Sequence, residues 1–391
     1  CLGKPRKVLT PVTPDDVRVV PIADGVAARH THLRANPSDR KDFLALGRVG
    51  ADMVKSYLMG GLIADAFYEL FLRRHGRYLE ECADLAELAE IDQPIICLLQ
   101  RLYSWSKLAS TKPTPPVSGC SAACHYHPGQ GMFLARCLDW SKPEGVLGNA
   151  TRIVEYQQAG RTVYKAVQIL GMTGHLSILK PGCFAIVINW APEHGIPGLD
   201  LDPTHRLREI AEDVAIDSYD KAVAAITSHQ HDIGADAFFT VAGTKPEEMC
   251  VVERKGSSNT SWIRKPAASK HILVQTNHYD PAGEIGIHLR DELKPALPEG
   301  EDGYCLGTAD TTLVRQKALT DALATLSGES DMWDALHTCL HIVPVLNNDT
   351  RQQMVMHIAS GEIRAWREVT PAPQHAHLTL TGPATGATAA P

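Results

Sequence analysis

Hydrophobic residues recur at helical spacing through the first third of the chain, and the period changes to that of β-strands beyond residue 120. Apolar side chains three and four positions apart run through residues 40–75, and the pattern continues over residues 80–89 and 94–105. Because this spacing places the apolar side chains on one face of a helix, it predicts a helical layer. The Met and aromatic stripe of residues 53–71 is more typical of a packed core than of lipid contact.

Short runs rich in β-branched and aromatic residues follow and predict strands. They occupy residues 132–137, 151–156, 162–169, 176–179, 183–189, 237–241, 250–252 and 271–275. Helical patterns interrupt them at residues 203–228, 311–326 and 331–341. Strands between two helical groups favour a layered α+β sandwich. The last segment, residues 371–391, is rich in Ala, Thr, Gly and Pro, which predicts a disordered tail.

The composition is that of an ordinary globular protein. The chain has 391 residues, of which 44% are hydrophobic and 21% charged, which is enough for one large core or two smaller ones. A formal charge of -7 and a pI near 6.2 argue against nucleic acid as a partner. No run of 18 apolar residues is present, so the sequence predicts no membrane span and leaves contact with a lipid surface open.

Ten cysteines are scattered along the chain without a Cys-x-x-Cys pair, which argues against a zinc site and is typical of small buried residues. The first of them, Cys1, fits a trimmed secreted lipoprotein or a processed nucleophile, although residues 2–7 are not strand-like. The compartment therefore stays open. It is secreted, periplasmic or lysosome-like if Cys1 follows a removed signal peptide, and cytoplasmic otherwise.

Cys120 carries the strongest chemical signal. It follows Gly119 at the end of a proline-rich run, residues 107–119, and a strand-like run over residues 131–138 comes next. Arg136 and Asp139 lie 16 and 19 positions downstream, where a hairpin would return them to Cys120. If the bond before Cys120 is cut, this residue holds a nucleophilic thiol and, in its α-amino group, a base. An arginine and a carboxylate would support these two groups.

Seven stretches in one order resemble the acid ceramidase and N-acylethanolamine acid amidase family of N-terminal nucleophile hydrolases, which is related more distantly to bile salt hydrolases and penicillin V acylases. These stretches are Cys120-Ser-Ala, Arg136-Cys-Leu-Asp-Trp, Val163-Tyr-Lys-Ala, Leu179-Lys-Pro-Gly-Cys-Phe, Val187-Ile-Asn, Gln275-Thr-Asn-His-Tyr-Asp and Val343-Pro-Val-Leu-Asn-Asn. The resemblance begins at about Tyr78. It implies a four-layer αββα sandwich and an enzyme without a metal or organic cofactor.

The resemblance implies that Cys120 is the nucleophile freed by self-cleavage. Arg136 resembles the arginine beside the thiol, and Asp139 resembles the carboxylate that holds the α-amino group. His125 and His127, which follow closely, are interpreted as loop residues. Cys124 would face the same side as Cys120 only if the strand is regular.

Two asparagines and an arginine complete the implied site. Asn277 and Asn189 resemble residues that help form the oxyanion site, for which amide donors are suitable. Arg315 resembles an arginine of the family because it lies 29 residues before Pro344. Arg290, 13 residues after Asn277, competes with it. We prefer Arg315, since the helical pattern after it also fits.

Three single positions and two segments depart from the family pattern. Cys137 stands where relatives have Asn, His278 where they have Tyr, and Trp190 where a glutamate follows the asparagine. The segments 107–119 and 281–308 are longer than usual. Both would reshape the entrance to the site.

The resulting prediction is a precursor that cleaves itself into a mainly helical smaller piece, residues 1–119, and a catalytic piece, residues 120–370, which stay associated. The substrate would be a small N-acyl amide, and the reaction would be hydrolysis of its linear amide through a thioester. Alternatives are a choloylglycine- or penicillin-type amidase, an acyltransferase, and an inactive lipid-binding relative, for which Trp190 is the best hint.

Overall fold

Two mostly antiparallel β-sheets form the centre of the computed structural model, with helices on their outer faces. The structure describes residues 8–22, 25–57, 68–73, 78–104, 118–140, 145–192, 201–228, 233–256, 260–266, 271–279, 312–326 and 331–369. Part of the proline-rich run before Cys120, Arg290 and the predicted tail lie outside these residues.

The strands alternate between the two sheets in blocks. They are β1 (Leu9–Pro11), β2 (Val17–Pro21), β3 (Ser118–His127), β4 (Gly131–Trp140), β5 (Thr151–Gln158), β6 (Arg161–Ile169), β7 (Ser177–Lys180), β8 (Phe184–Trp190), β9 (Ala237–Ala242), β10 (Met249–Arg254), β11 (Ser261–Arg264), β12 (Ile272–Gln275), β13 (Thr350–His357) and β14 (Glu362–Glu368). One sheet has the order β1-β14-β13-β4-β3-β12, and the other has the order β11-β10-β9-β8-β7-β6-β5-β2.

The helices fall into an N-terminal group and two outer layers. They are α1 (Val26–Arg29), α2 (Thr31–Ala35), α3 (Pro37–Tyr57), α4 (Leu79–Ala89), α5 (Gln93–Leu99), α6 (Val146–Asn149), α7 (Pro203–Glu212), α8 (Tyr219–Thr227), α9 (Thr312–Leu323) and α10 (Met332–Leu340). None of these helices combines the length and the apolarity needed to cross a bilayer.

Side-chain alternation along the strands builds three packed layers between the four levels of structure. Residues of both sheets meet in the middle layer, including Ala122, Leu134, Met354, Val187, Phe238 and Val251. The opposite face of the six-stranded sheet packs on α9 and α10 through residues such as Ala123, Ala135, Val355, Leu319 and Leu336. The eight-stranded sheet packs on α7 and α8. The predicted αββα sandwich is confirmed.

The β3–β4 hairpin sets the geometry around Cys120. Its register pairs Gly119 with Asp139, Cys120 with Leu138 and Ala122 with Arg136. The strand runs without a bulge from Ser118, two residues before Cys120, so the predicted boundary at residue 119 lies inside β3. His125 and His127 are also strand residues, and their prediction as loop residues was wrong because β3 extends to the turn at residues 128–130.

The N-terminal segment contributes more than helices. β1 pairs with β14, and β2 pairs in parallel with β5, so this segment adds an edge strand to each sheet. The sequence pattern predicted neither strand, because each is short. The helix predicted over residues 40–75 begins at Pro37 and is described to Tyr57, and a separate helical turn covers Tyr68–Leu72. Residues 58–67 lie outside the described part of the chain.

Three further strands and one helix break were not predicted. β11, β13 and β14 are absent from the sequence prediction, although β13 lies in the middle of its sheet. The single helical pattern of residues 203–228 is two helices, since α7 ends at Glu212 and α8 begins after the capping residue Ser218.

Candidate active site

The thiol of Cys120 lies between the two sheets beside a buried guanidinium. Cys120 is 2% exposed, and Nη2 of Arg136 lies 3.3 Å from its Sγ. The same guanidinium donates to the Leu176 carbonyl at 3.1 Å, to Ser177 Oγ at 2.6 Å and to the Ile188 carbonyl at 2.5 Å. Ser177 and Ile188 lie in β7 and β8 of the eight-stranded sheet, so hydrogen bonds to that sheet fix the Arg136 guanidinium. A positive group is thereby held against the sulfur.

The backbone nitrogen of Cys120 is held by a different residue. It donates to Oδ1 of Asn277 at 2.9 Å, and Nδ2 of Asn277 donates to the Trp190 carbonyl at 2.7 Å. Arg315 Nη2 also donates to Oδ1 at 2.8 Å. Since two donors converge on one end of the carboxamide and a carbonyl accepts from the other, the orientation of this amide is fully determined.

Arg315 reaches the site from α9, on the side of the six-stranded sheet away from the thiol. Its Nη1 donates to the Cys120 carbonyl at 2.8 Å and to Ser121 Oγ at 2.9 Å. Asp139 Oδ2 lies 3.6 Å from the same nitrogen. Burial lowers the pKa of Arg315, and the charge of Asp139 opposes this effect. An arginine keeps its charge under these conditions.

Asp139 is fully buried and does not stand alone. Asn347 Nδ2 donates to its Oδ2 at 3.1 Å, and Thr350 Oγ1 donates to its Oδ1 at 2.7 Å. The carboxylate therefore has two neutral donors and one guanidinium, which is the kind of compensation that a buried charge requires. It is linked to Cys120 through Arg315, and its own residue faces Gly119 across the hairpin.

Asn189 ends β8 close to these groups, but its amide has other partners. Its Nδ2 donates to the carbonyls of Gln275 and Thr276 at 3.0 and 3.1 Å. Both hydrogens of the amide are therefore used to hold the end of β12 against β8. Its Oδ1 is buried and has no hydrogen-bond partner among the described residues.

The sulfur faces a small apolar pocket that adjoins a larger one. The small pocket has a volume of about 260 Å³ and is lined, besides Cys120 and Arg136, by Tyr103, Leu138, Trp140, Leu176, Ile188 and Trp190. A second pocket, with about 660 Å³ of empty space that includes open solvent, lies between α3, α5 and residues 169–172. Trp140 lines both pockets, and we expect its indole to separate them.

Five of the six predicted site residues thus form one connected group around Cys120: Cys120, Arg136, Asp139, Asn277 and Arg315. Asn189 lies beside it with its N–H groups directed elsewhere. Cys124 does share a face with Cys120, since β3 is regular, but a spacing of four positions along the strand places their Cα atoms roughly 13 Å apart. Its Sγ lies 3.9 Å from the Val241 carbonyl, and burial raises its pKa.

Sequence reasoning missed the groups that support the charged residues. Ser177 holds Arg136, and Asn347 and Thr350 hold Asp139. Only Asn347 had a signal, because it lies within a stretch that carries the family resemblance. The described residues contain no group of three or more His, Cys, Asp or Glu side chains placed to hold a metal ion.

Comparison with known proteins supports the resemblance. No family model matches the chain. Acid ceramidase of Bos taurus is 22% identical over 321 residues, which are 76% of this chain and 71% of that protein. Acid ceramidase of Balaenoptera acutorostrata scammoni is 25% identical over 221 residues, which are 52% of this chain and 54% of that protein. The chain is therefore similar in sequence to the acid ceramidases. It spans about half the length of the second of these relatives.

Two solved structures are also similar to this chain. The Caenorhabditis elegans ortholog of N-acylethanolamine-hydrolyzing acid amidase is 19% identical, with a TM-score of 0.45 over 61% of this chain and 92% of that chain. A mutant conjugated bile acid hydrolase of Clostridium perfringens is 8% identical, with a TM-score of 0.38 over 63% of this chain and 88% of that chain.

Proposed function

We propose that this chain is a cysteine-dependent amidohydrolase that cleaves its own backbone before Cys120 and then hydrolyses the amide of an N-acyl lipid. One observation carries the proposal. The two reactive groups of Cys120 are held by separate buried partners, the sulfur by Arg136 at 3.3 Å and the nitrogen by Asn277 at 2.9 Å. A cysteine that served only as packing would need no guanidinium beside its sulfur.

Self-cleavage uses the same residue as nucleophile and leaving group. Cys120 Sγ attacks the carbonyl carbon of Gly119, and the C–N bond breaks as the nitrogen of Cys120 takes a proton. The resulting thioester is hydrolysed by water, which releases the carboxylate of Gly119 and the free thiol. The hydrogen bond from this nitrogen to Asn277 Oδ1 then becomes a hydrogen bond from the new α-amino group.

Turnover begins when the α-amine takes the proton of the thiol. One hydrogen of the amine stays donated to Asn277, and its lone pair accepts this proton. Sγ attacks the substrate carbonyl, the protonated amine passes its proton to the leaving group, and water cleaves the thioester. Trp190 accepts one hydrogen of Asn277 Nδ2, and we assign the other to the oxyanion. Asn189 acts here by position, because both of its amide hydrogens are used.

Contacts across the cleavage point support continued association of the two pieces. Each sheet contains one strand from the smaller piece, β1 or β2. Buried ion pairs add to this, since Arg152 lies 2.8 Å from Asp39 and Arg208 lies 2.6 Å from Glu81. Hydrogen-bonded charges that are buried on both sides lose several kcal/mol when one partner is removed. Separation of the pieces would expose all of these contacts.

The apolar pockets support an acyl chain as the bound group. The space next to Trp140 is lined almost entirely by apolar side chains, and these come from both pieces. The name of the homologues, acid ceramidase, points to the same class of amide.

A panel of N-acyl amides tests this proposal on the full chain. The expected result is release of fatty acid from an N-acyl sphingosine or N-acylethanolamine by the wild-type chain, and none by Cys120→Ala. Cys124→Ala is the matched control, since it removes a buried thiol from the same strand face. Three other outcomes would each replace the proposed activity with one of the alternatives. They are turnover confined to bile salt or penicillin amides, transfer of the acyl group to an added amine, and binding without turnover.

A further inference from the structure

Three buried side chains connect the end of β12 to the start of α9. Thr276, His278 and Thr312 are 0, 5 and 6% exposed. Thr276 Oγ1 donates to the Thr312 carbonyl at 2.9 Å, and the two hydroxyl oxygens are 2.9 Å apart. Thr312 Oγ1 also accepts from the backbone nitrogen of Asn277 at 2.9 Å. We call Thr276, His278 and Thr312 the clasp.

His278 completes the clasp through its Nδ1. This nitrogen lies 3.0 Å from Thr312 Oγ1 and 3.2 Å from Thr276 Oγ1. Each hydroxyl has a single hydrogen. Thr276 gives its hydrogen to the Thr312 carbonyl, and Thr312 gives its hydrogen to Thr276 Oγ1. Every short contact is then satisfied only if Nδ1 of His278 carries a hydrogen and donates it.

The clasp acts on two groups of the candidate site. Thr312 is the first residue of α9 and lies one helical turn before Arg315, which contacts Cys120 and Asn277. Asn277 lies between the two clasp residues of the β12 end, and its backbone nitrogen is bound by Thr312. A shift of the start of α9 against β12 would therefore move Arg315 and Asn277 relative to Cys120.

We propose that His278, as its Nδ1–H tautomer, is a positioning residue that fixes α9 against β12 and so keeps Arg315 and Asn277 in place around Cys120. The inference rests on the proposed function, because it concerns the same site. Misplacement of reacting groups by about 1 Å is enough to lower a rate roughly 100-fold. Among the described residues, the ring of His278 contacts Thr276 and Thr312, so it acts on the site through these two residues.

Paired variants of the full chain separate positioning from bulk. His278→Leu and Thr312→Val keep the size of each side chain but remove its hydrogen bonds. His278→Asn keeps an N–H at the position of Nδ1, and Thr312→Ser keeps the hydroxyl. We expect the first pair to lower kcat by about 10- to 100-fold with KM changed less than about threefold, and the second pair to recover most of that loss.

His125→Leu is the matched control. His125 is 6% exposed on β3, and its Nδ1 has no hydrogen-bond partner among the described residues. The substitution His125→Leu therefore removes a buried histidine that is not part of the clasp, and it should leave kcat within about twofold. Equal activity of His278→Leu and His278→Asn, whether both high or both low, would overturn the positioning role.

A second measurement does not depend on activity. NMR spectra of histidine-labelled Cys120→Ala chain should show the Nδ1–H tautomer for the ring whose signals disappear in His278→Asn. An Nε2–H tautomer for that ring would overturn the inference even if the enzyme were active. A wild-type chain that neither cleaves itself nor hydrolyses any amide would instead refute the proposed function and leave the tautomer result to decide the clasp.

Discussion

Replacement of Arg315 by methionine should destabilise the fold strongly, because it leaves Asp139 buried without a counter-charge. The two charged groups are 3.6 Å apart and both are fully buried. At an effective dielectric constant of about 20, a pair at this distance attracts by about 5 kcal/mol. Breaking a buried pair from one side costs about 3–5 kcal/mol. We expect the free energy of unfolding to fall by that amount.

A double-mutant cycle isolates the pair. Asp139→Asn alone should also destabilise, since it removes the carboxylate charge 3.6 Å from the buried Arg315 guanidinium. In the double variant neither charge remains, so its loss should be smaller than the sum of the single losses by roughly 2–3 kcal/mol. The sign of this coupling follows because each single variant removes one partner of a buried pair and leaves the other partner buried.

The assay is equilibrium unfolding in urea, carried out in a Cys120→Ala background so that every variant has an uncut backbone. Comparable m-values across the set would show that the unfolded states are alike. Asp139→Asn combined with Arg152→Met is the control cycle, because the carboxylates that pair with Arg152 are those of Asp16, Asp39 and Asp42 instead. Additivity of the Arg315 and Asp139 changes within about 0.5 kcal/mol would refute the ion pair as a stabilising contact.

Other perturbations test single contacts. Trp140→Ala should join the two apolar pockets and raise the kcat/KM ratio of a long-chain over a short-chain N-acyl amide by about tenfold; an unchanged ratio would contradict a separating role. Tyr103→Phe should lower the unfolding free energy by about 1 kcal/mol in urea, since its hydroxyl lies 3.1 and 3.0 Å from the carbonyls of Asn189 and Asp236. Burial lowers the pKa of His125 to about 4, so the unfolded chain is protonated first on acidification. The neutral His125 ring therefore contributes fully to the free energy of unfolding above about pH 6.5, and this contribution is lost as the pH falls towards 4. His125→Leu should flatten the pH dependence of the unfolding free energy over that range.

The nearest part of the site could be predicted from the sequence because it is local. A strand, a short turn and a returning strand bring Arg136 and Asp139 back to Cys120 whatever the rest of the fold does. Asn277 and Arg315 are 157 and 195 positions away, and no local pattern connects them to the nucleophile. They were predicted from the family resemblance alone, and both form hydrogen bonds with Cys120.

The strands that were missed show why the remainder could not be predicted. β13 reads as a polar segment, Thr-Arg-Gln-Gln-Met-Val-Met-His, yet seven of its residues are buried. Arg351 donates to the Trp140 carbonyl, and Gln352 and Gln353 donate to Thr151 Oγ1 and the Leu340 carbonyl. These partners are distant in sequence. A buried polar residue is stable only with such partners, which a period of hydrophobic residues cannot reveal.

The intact mass of the purified protein tests the central claim most directly. For the wild-type chain, the account predicts two associated pieces, the larger beginning at Cys120 by N-terminal sequencing. Cys120→Ala should remain a single chain of full mass under the same conditions. A wild-type chain that stays whole under every condition tested, or one that is cut equally in Cys120→Ala, would contradict the claim that this cysteine releases its own amino group.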